Sequence, residues 1–178
     1  MQTGLAEERF QEIYRQHQRQ VLGYFLRRTD ATSARDGASE TFLVAWRRIA
    51  DVPTGQGTLP WLYGVSRRVL ANQRRGRDRY TALGRKLIGA GALDEPSAEV
   101  VVLRRAEDTE MLNAVARLRP EDQEILRLTV WEELPHAQVA EVIGTSAHAV
   151  TQRLHRITKQ LARDLGRPGR QIGGGDPS

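Results

Sequence analysis

The sequence predicts an all-α protein of two small helical domains, the second of which carries a helix-turn-helix. Three observations lead there. Apolar residues recur at steps of three and four along most of the chain, the period of a helix with one buried face. The composition leans on Ala, Leu, Arg, Glu and Gln, which are good helix formers. The periodicity lapses between Leu87 and Pro96 (LIGAGALDEP), where glycines and a proline gather, and resumes near Val100. A chain of 178 residues suffices for one ordinary domain or two small ones. With aromatic residues at only 6%, small cores of Leu, Val, Ile and Ala fit better than one large aromatic core.

Taken in order, the first helix is expected from Ala6 to Arg28, with Phe10, Ile13, Tyr14, Val21 and Phe25 on one side. Thr29 to Thr32 interrupt it. Ser33 offers a cap for the second helix, with Asp36 three residues on in a weak capping box. Ala38, Phe42, Ala45 and Ile49 line one face of that helix. Asp51–Gly57 (DVPTGQG) reads as a loop. Thr58 is expected to cap a third helix, which holds Pro60 in its first turn, where a missing N–H does no harm. This helix turns Leu62, Val65 and Val69 inward. Residues 1–86 thus form the first domain, 87–104 a linker, 105–167 the second domain and 168–178 a disordered tail. In the second domain Leu112, Val115 and Leu118 share a face. Pro120, Glu121 and Asp122 then open a helix whose positive end favours acids. Ile125, Leu126, Leu128, Val130 and Trp131 fill it.

Composition also excludes function classes. The chain has no cysteine, which removes disulfides, thiolate chemistry and cysteine zinc sites. Any redox or stress sensing is left to a partner. No apolar run reaches membrane-spanning length, and the N-terminus lacks the apolar stretch of a signal peptide. A cytoplasmic protein without membrane insertion is expected. No phosphate-cradling glycine loop, nucleophile triad or metal cluster is visible, so no catalytic residue, cofactor or metal is expected. The four histidines (His17, His136, His148, His155) lack partners at ligand spacing.

The formal charge is +5, yet its distribution is more telling than its size. All but two of the 27 basic residues are arginine, whose rigid fork suits phosphates and guanine edges. Between Tyr63 and Lys86 stand Arg67, Arg68, Arg74, Arg75, Arg77, Arg79, Arg85 and Lys86 against a single acid, Asp78. A solvated face ordinarily mixes signs, so this block reads as an anion-binding surface.

The sharpest local signal lies at His136–Arg156. A short helix, HAQVAEVI, is followed by Gly144–Thr145 and a helix expected to be capped by Ser146. Ala140 is small where the helices would cross, Gly144 suits a turn of positive φ, and Val150 closes the joint. This is the spacing of a DNA-binding helix-turn-helix. Arg153 stands where an apolar residue is common, with Leu154 beside it to serve instead. Ala147, Val150, Leu154, Ile157 and Leu161 form an inward stripe. His148, Gln152, Arg156, Lys159 and Arg163 form an outward one that holds donors and no acid. Gln suits adenine, Arg guanine, and the basic residues near the helix end suit phosphates.

Three stretches together carry a family resemblance: SARDGASETFLVAWRRI, PWLYGVSRRVLANQRR and LRPEDQEILRLTVWEELPHAQVAEVIGTSAHAVTQRLHRITKQL. The N-terminal half resembles the second domain of bacterial sigma factors, and Ala106–Leu165 resembles their fourth. The absence of an intervening third domain is similar to the extracytoplasmic-function group. The resemblance implies that the stretch with Asp36, Glu40, Thr41, Phe42 and Trp46 grips the β′ coiled coil of core RNA polymerase. It implies that Asp51–Thr58 captures a flipped base of the −10 element. The helix after it would hold the melted strand through Trp61, Tyr63, Arg67, Arg68, Arg74 and Arg75. Tyr63, Arg67 and Arg74 are expected on one side of that helix, opposite Leu62, Val65 and Val69. Phe42 and Trp61 are open to a second reading as core residues. Around Ser146, His148, Gln152, Arg153, Arg156, Lys159 and Arg163 the fourth domain would read the −35 element, and it would touch the β flap. The partners implied are core polymerase, promoter DNA and an anti-sigma factor.

The chain departs from the family pattern at Gly37, Ser39, Gly64 and Arg68, where Leu, Gln, Arg and Asn are usual. A glycine inside a helix costs about 1 kcal/mol relative to alanine, so the polymerase-binding helix is expected to be locally soft. A rival reading treats the chain as a helix-turn-helix regulator that binds duplex DNA without polymerase.

Overall fold

The computed structural model describes residues 2–88 and 106–166, and no strand occurs among them. The described residues form α1 (Gln2–Leu26), α2 (Ala31–Arg47), α3 (Thr58–Ile88), α4 (Ala106–Ala116), α5 (Pro120–Val130), α6 (His136–Ile143) and α7 (Ala147–Leu165). Two single 3-10 turns, Ile49–Asp51 and Gly55–Gly57, lead from α2 to α3. Because α3 continues to Ile88, it passes the expected end of the first domain at 86. The rest of the expected linker and the expected tail at 168–178 lie outside the described residues.

The helix starts differ from expectation in two places. Asp30, not Ser33, caps α2: its backbone is extended, and its carboxylate accepts the Ser33 N–H at 2.9 Å. That bond, joined by the Ser33 hydroxyl, holds the Asp30 carboxyl down at about 2. Thr58 is not a cap either. It already has helical dihedrals, and its hydroxyl donates to the Pro53 carbonyl at 2.8 Å, tying the loop to α3.

The N-terminal core joins Val21, Tyr24 and Phe25 of α1 to Ala34, Ala38, Phe42 and Ala45 of α2 and Leu62, Val65, Val69 and Leu70 of α3. Tyr14, expected inward, is half exposed at 44%. Gly37 is buried in α2, and a Cβ there would meet the Phe25 ring at 2.4, 2.6 and 2.9 Å. The glycine therefore does not mark a soft helix. It lets the ring lie directly against the α2 backbone, and a missing side chain is the condition for that approach. Next to it, the Thr41 hydroxyl donates to the Gly37 carbonyl at 2.8 Å and lies 3.3 Å from the Ser66 hydroxyl of α3.

In the C-terminal half, Leu118, Ile125, Leu128, Val139, Ala140, Val142, Val150 and Ile157 share the core. Pro120 opens α5 with Glu121 and Asp122 in its first turn. Val130 and Trp131, expected to fill this helix, stand at its exposed edge. Gly144 ends α6 with φ at 79°, and the Ala140 carbonyl accepts the N–H groups of Gly144 and Thr145 at 2.8 and 3.0 Å. The Ser146 hydroxyl then accepts the Ala149 N–H at 3.1 Å and starts α7. Ala147 differs from the expected inward stripe. As the first residue of α7 it projects beyond the joint and is exposed, so Val150, Leu154, Ile157 and Leu161 do the packing. The two halves also touch each other, α6 lying across α3.

Candidate polymerase and nucleic-acid surfaces

The proposed polymerase residues divide into a surface and a core. Asp36 and Glu40 are exposed one helical turn apart on α2. Thr41 and Phe42 are buried, which corrects their reading as contact residues. Phe42 meets Tyr14 edge-on with ring centroids 4.8 Å apart, and Phe10 likewise meets Trp46 at 5.3 Å. Trp46 keeps 39% of its surface exposed, and Leu43, which sequence reasoning missed, keeps 54%. Positions 36, 40, 43 and 46 fall on one stripe of the helix. The result is two carboxylates continuing into an apolar patch, a surface suited to a partner with basic and apolar side chains. A large exposed aliphatic residue at the i+7 step from Asp36 was the available signal for Leu43.

On α3 the basic side chains spread unevenly. Arg68, Arg74 and Arg75 are exposed, while Trp61 and Arg67 are half buried. The Arg48 guanidinium stands over the Trp61 ring at 5.9 Å. Tyr63 departs from its expected place on the DNA side. It is 2% exposed, stacked on Tyr24 at 5.3 Å, and its hydroxyl donates to Glu132 at 3.2 Å. Burial, then the nearby Glu132 carboxylate, push its phenol well above the ordinary range. The expected alignment of Tyr63 with Arg67 and Arg74 treated α3 as having one buried face. In fact α3 packs against α1 and α2 and is covered by α6 on a further side.

On α7, His148, Gln152, Arg156, Lys159 and Arg163 are all exposed, and no exposed residue of the helix is acidic. Arg153 lies half buried and pairs with Glu121 of α5 at 2.9 Å, so it braces the helix pair rather than standing free. His136, at the start of α6, sits 2.9 Å from the Thr151 hydroxyl and fastens the two helices of the motif. The Ser146 hydroxyl is engaged in its cap. Among the described residues no group of three or more His, Cys, Asp or Glu side chains is placed to hold a metal ion.

Comparison with known proteins finds relatives for both halves of the chain. Residues 13–80 match the family model of sigma-70 region 2, and residues 108–161 match that of sigma-70 region 4. The chain is 31% identical over 129 residues to the RNA polymerase sigma factor NccH of Alcaligenes xylosoxydans xylosoxydans, covering 71% of this chain and 69% of NccH. The chain belongs to the sigma-70 family of RNA polymerase sigma factors. It is also 32% identical over 167 residues to the ECF RNA polymerase sigma factor BldN of Streptomyces coelicolor, which covers 92% of this chain and 62% of BldN. Its fold resembles that of the sigma factor RpoE solved with the anti-sigma factor NepR from Bartonella quintana. The TM-score is 0.59 at 17% identity, over 88% of this chain and 98% of that one. Matches in both halves favour the sigma-factor reading over that of a regulator acting without polymerase. In this sigma factor the region 2 match takes in α2 and α3 as far as residue 80, and the region 4 match takes in α6 and α7 as far as residue 161.

Proposed function

We propose that this sigma factor binds core RNA polymerase through the Asp36, Glu40, Leu43 and Trp46 stripe and directs initiation at promoters carrying −35 and −10 elements. Region 4 reads the −35 duplex in the major groove. His148, Gln152 and Arg156 of α7 face base edges, and Lys159 and Arg163 hold phosphates. Region 2 holds the melted −10 strand, with the Asp51–Thr58 loop taking a flipped base. Trp61, Arg67, Arg68, Arg74 and Arg75 supply stacking and phosphate neutralisation. The proposed role is that of a cytoplasmic recognition subunit without catalysis of its own. None of its described helices is long and apolar enough to cross a membrane. Its partners are core polymerase (β′ coiled coil and β flap), promoter DNA and an anti-sigma factor. The last is proposed by analogy with a protein of similar fold, which was solved with an anti-sigma factor.

The observation that carries this reading is the outward stripe of α7, where His148, Gln152, Arg156, Lys159 and Arg163 are all exposed and none is acidic, on the second helix of a capped helix-turn-helix. Transcription in vitro with core polymerase and genomic fragments, followed by mapping of start sites, tests it. Sequence-specific open complexes that depend on both components are expected. A purified chain that neither binds core nor directs initiation refutes it.

A further inference from the structure

The loop between α2 and α3, proposed above to take a flipped base, is held by a residue that the proposed function does not use. Its tip, Thr54 to Gln56, is exposed, and Gly55 takes a positive φ of 62°. A tip of this kind has no stiffness of its own, so its conformation depends on how its base is tied. Val52 and Pro53 form that base. Among the described residues, neither of their carbonyls accepts a backbone N–H. Side chains from two helices take them instead. Arg9 of α1, 43 positions earlier, donates through Nη2 to the Val52 carbonyl. The Thr58 hydroxyl, at the start of α3, donates to the Pro53 carbonyl at 2.8 Å.

Two successive peptide planes are therefore pinned, one from α1 and one from α3, and the proline ring between them fixes its own φ. The Arg9 bond is no surface accident. Val52 is 2% exposed, so its carbonyl is shut off from water and needs a partner within the protein. The arginine is also aimed. Its neighbour Phe10 packs edge-on against Trp46 at 5.3 Å, which fixes this end of α1 to α2, and α1 lies against the Ile49–Asp51 turn that leads into the loop. Arg9 itself is half buried, whereas Arg68, Arg74 and Arg75 on α3 are exposed.

We propose that Arg9 is a positioning residue for −10 recognition: from the start of α1 it sets the Asp51–Thr58 loop in the conformation that reads the flipped base, without touching DNA. The inference rests on the proposed −10 role of this loop. Reading one base requires donors and acceptors held to within a fraction of an ångström. Loosening the base of the loop therefore costs discrimination at one position rather than affinity for all sequences.

The test uses the full chain with Arg9→Met, which keeps the stem and removes the donors, and with Arg9→Lys, which keeps a donor of similar reach. Thr58→Val removes the second bond. Each is checked for unchanged helical content. The chain has no cysteine of its own, so a nitroxide on Gln56→Cys reports the motion of the tip in the free protein. Arg9→Met is expected to make that label more mobile, and Arg9→Lys to leave it as in the parent. Each variant without the label is then assembled with core polymerase and bound to a fork DNA with a duplex −35 segment and a single-stranded −10 segment, both randomised, and the bound fraction is sequenced. Wild type should prefer one base at one melted position by roughly tenfold, falling to about twofold in Arg9→Met and in Thr58→Val. Arg9→Lys should restore it, and the −35 preferences should not change. A label equally mobile with and without Arg9 overturns the clamp. Loss that is uniform across bases, with a shallower salt dependence, makes Arg9 a phosphate contact and overturns its positioning role. A wild-type preference that survives Arg9→Met refutes the inference alone. If wild type shows no preference anywhere in the melted segment, the proposed −10 reading fails and the inference falls with it.

Discussion

Replacing Gly37 by alanine sets helix propensity against packing, and the structure decides the sign. On propensity alone the change stabilises α2 by about 1 kcal/mol. The new methyl, however, lies 2.4, 2.6 and 2.9 Å from three atoms of the Phe25 ring, where carbon atoms prefer about 3.5–4.0 Å. The ring must therefore move by about 1 Å. It has no room to do so: Phe25 is fully buried and meets Tyr24 edge-on at 5.5 Å. Overpacking of this kind costs ~1–3 kcal/mol. The net effect is a loss of up to ~2 kcal/mol, and each kcal/mol lowers the melting midpoint by roughly 2–8 °C at these domain sizes. Thermal and urea melts followed by circular dichroism measure it. Gly76→Ala is the control: it too lies inside a helix, but its Cβ meets nothing within 4 Å, so it should gain stability. Adding Phe25→Leu to Gly37→Ala should lose less than the sum of the two single changes, as expected for neighbours in contact. A Gly37→Ala protein more stable than wild type, by as much as Gly76→Ala gains, would refute the packing argument and restore the reading of a soft helix.

Three further outcomes follow from the same geometry. Asp30→Ala removes the α2 cap and should cost about 0.5–2 kcal/mol near neutral pH. Since the folded carboxyl lies at about 2 against an ordinary 3.8, the cap contributes fully above pH 4 and is lost as pH falls toward 2. The gap between wild type and variant should shrink over that window in acid titrations of stability, and a constant gap would show that the cap is not the cause. Reversing charge at Asp36 and Glu40 should weaken core-polymerase binding in a pull-down or anisotropy titration with helical content unchanged; unaltered affinity would remove that stripe from the interface. Gln152→Ala and Arg156→Ala should each relax preference at particular −35 positions by roughly 1–3 kcal/mol. Lys159→Ala and Arg163→Ala should weaken all sequences alike and flatten the salt dependence. Binding across single-base −35 variants at two salt concentrations separates the cases, and uniform loss from every substitution would mean that α7 only holds the backbone.

Much of this protein was legible because the signals are local. Gly144 takes positive φ and Ser146 caps α7 for reasons contained within a few residues. The outward stripe of α7 follows from helical period alone, since one face packs and the other is left over. Pro120 and the acids after it likewise open α5 without help from elsewhere. Where two local signals competed, sequence reasoning chose the wrong one. Asp30 and Ser33 are both good caps, and the choice fell to the backbone geometry at the end of α1.

What the sequence by itself determined is the helical class, the division into two halves, the helix-turn-helix and the two basic surfaces. Each depends on periodicity, capping or charge density within a short window. The tertiary structure alone decided what lies against what. It placed Thr41 and Phe42 in the core and left Leu43 outside it. It gave Gly37 its purpose, because only the approach of Phe25 from another helix makes a missing side chain useful. It also enclosed Tyr63 and Arg28 using Glu132 and Glu124 from about 70 to 100 residues away. Periodicity reports that a face is buried. It does not say how many neighbours a helix has or which side chains they bring, because those depend on contacts between residues far apart in the chain.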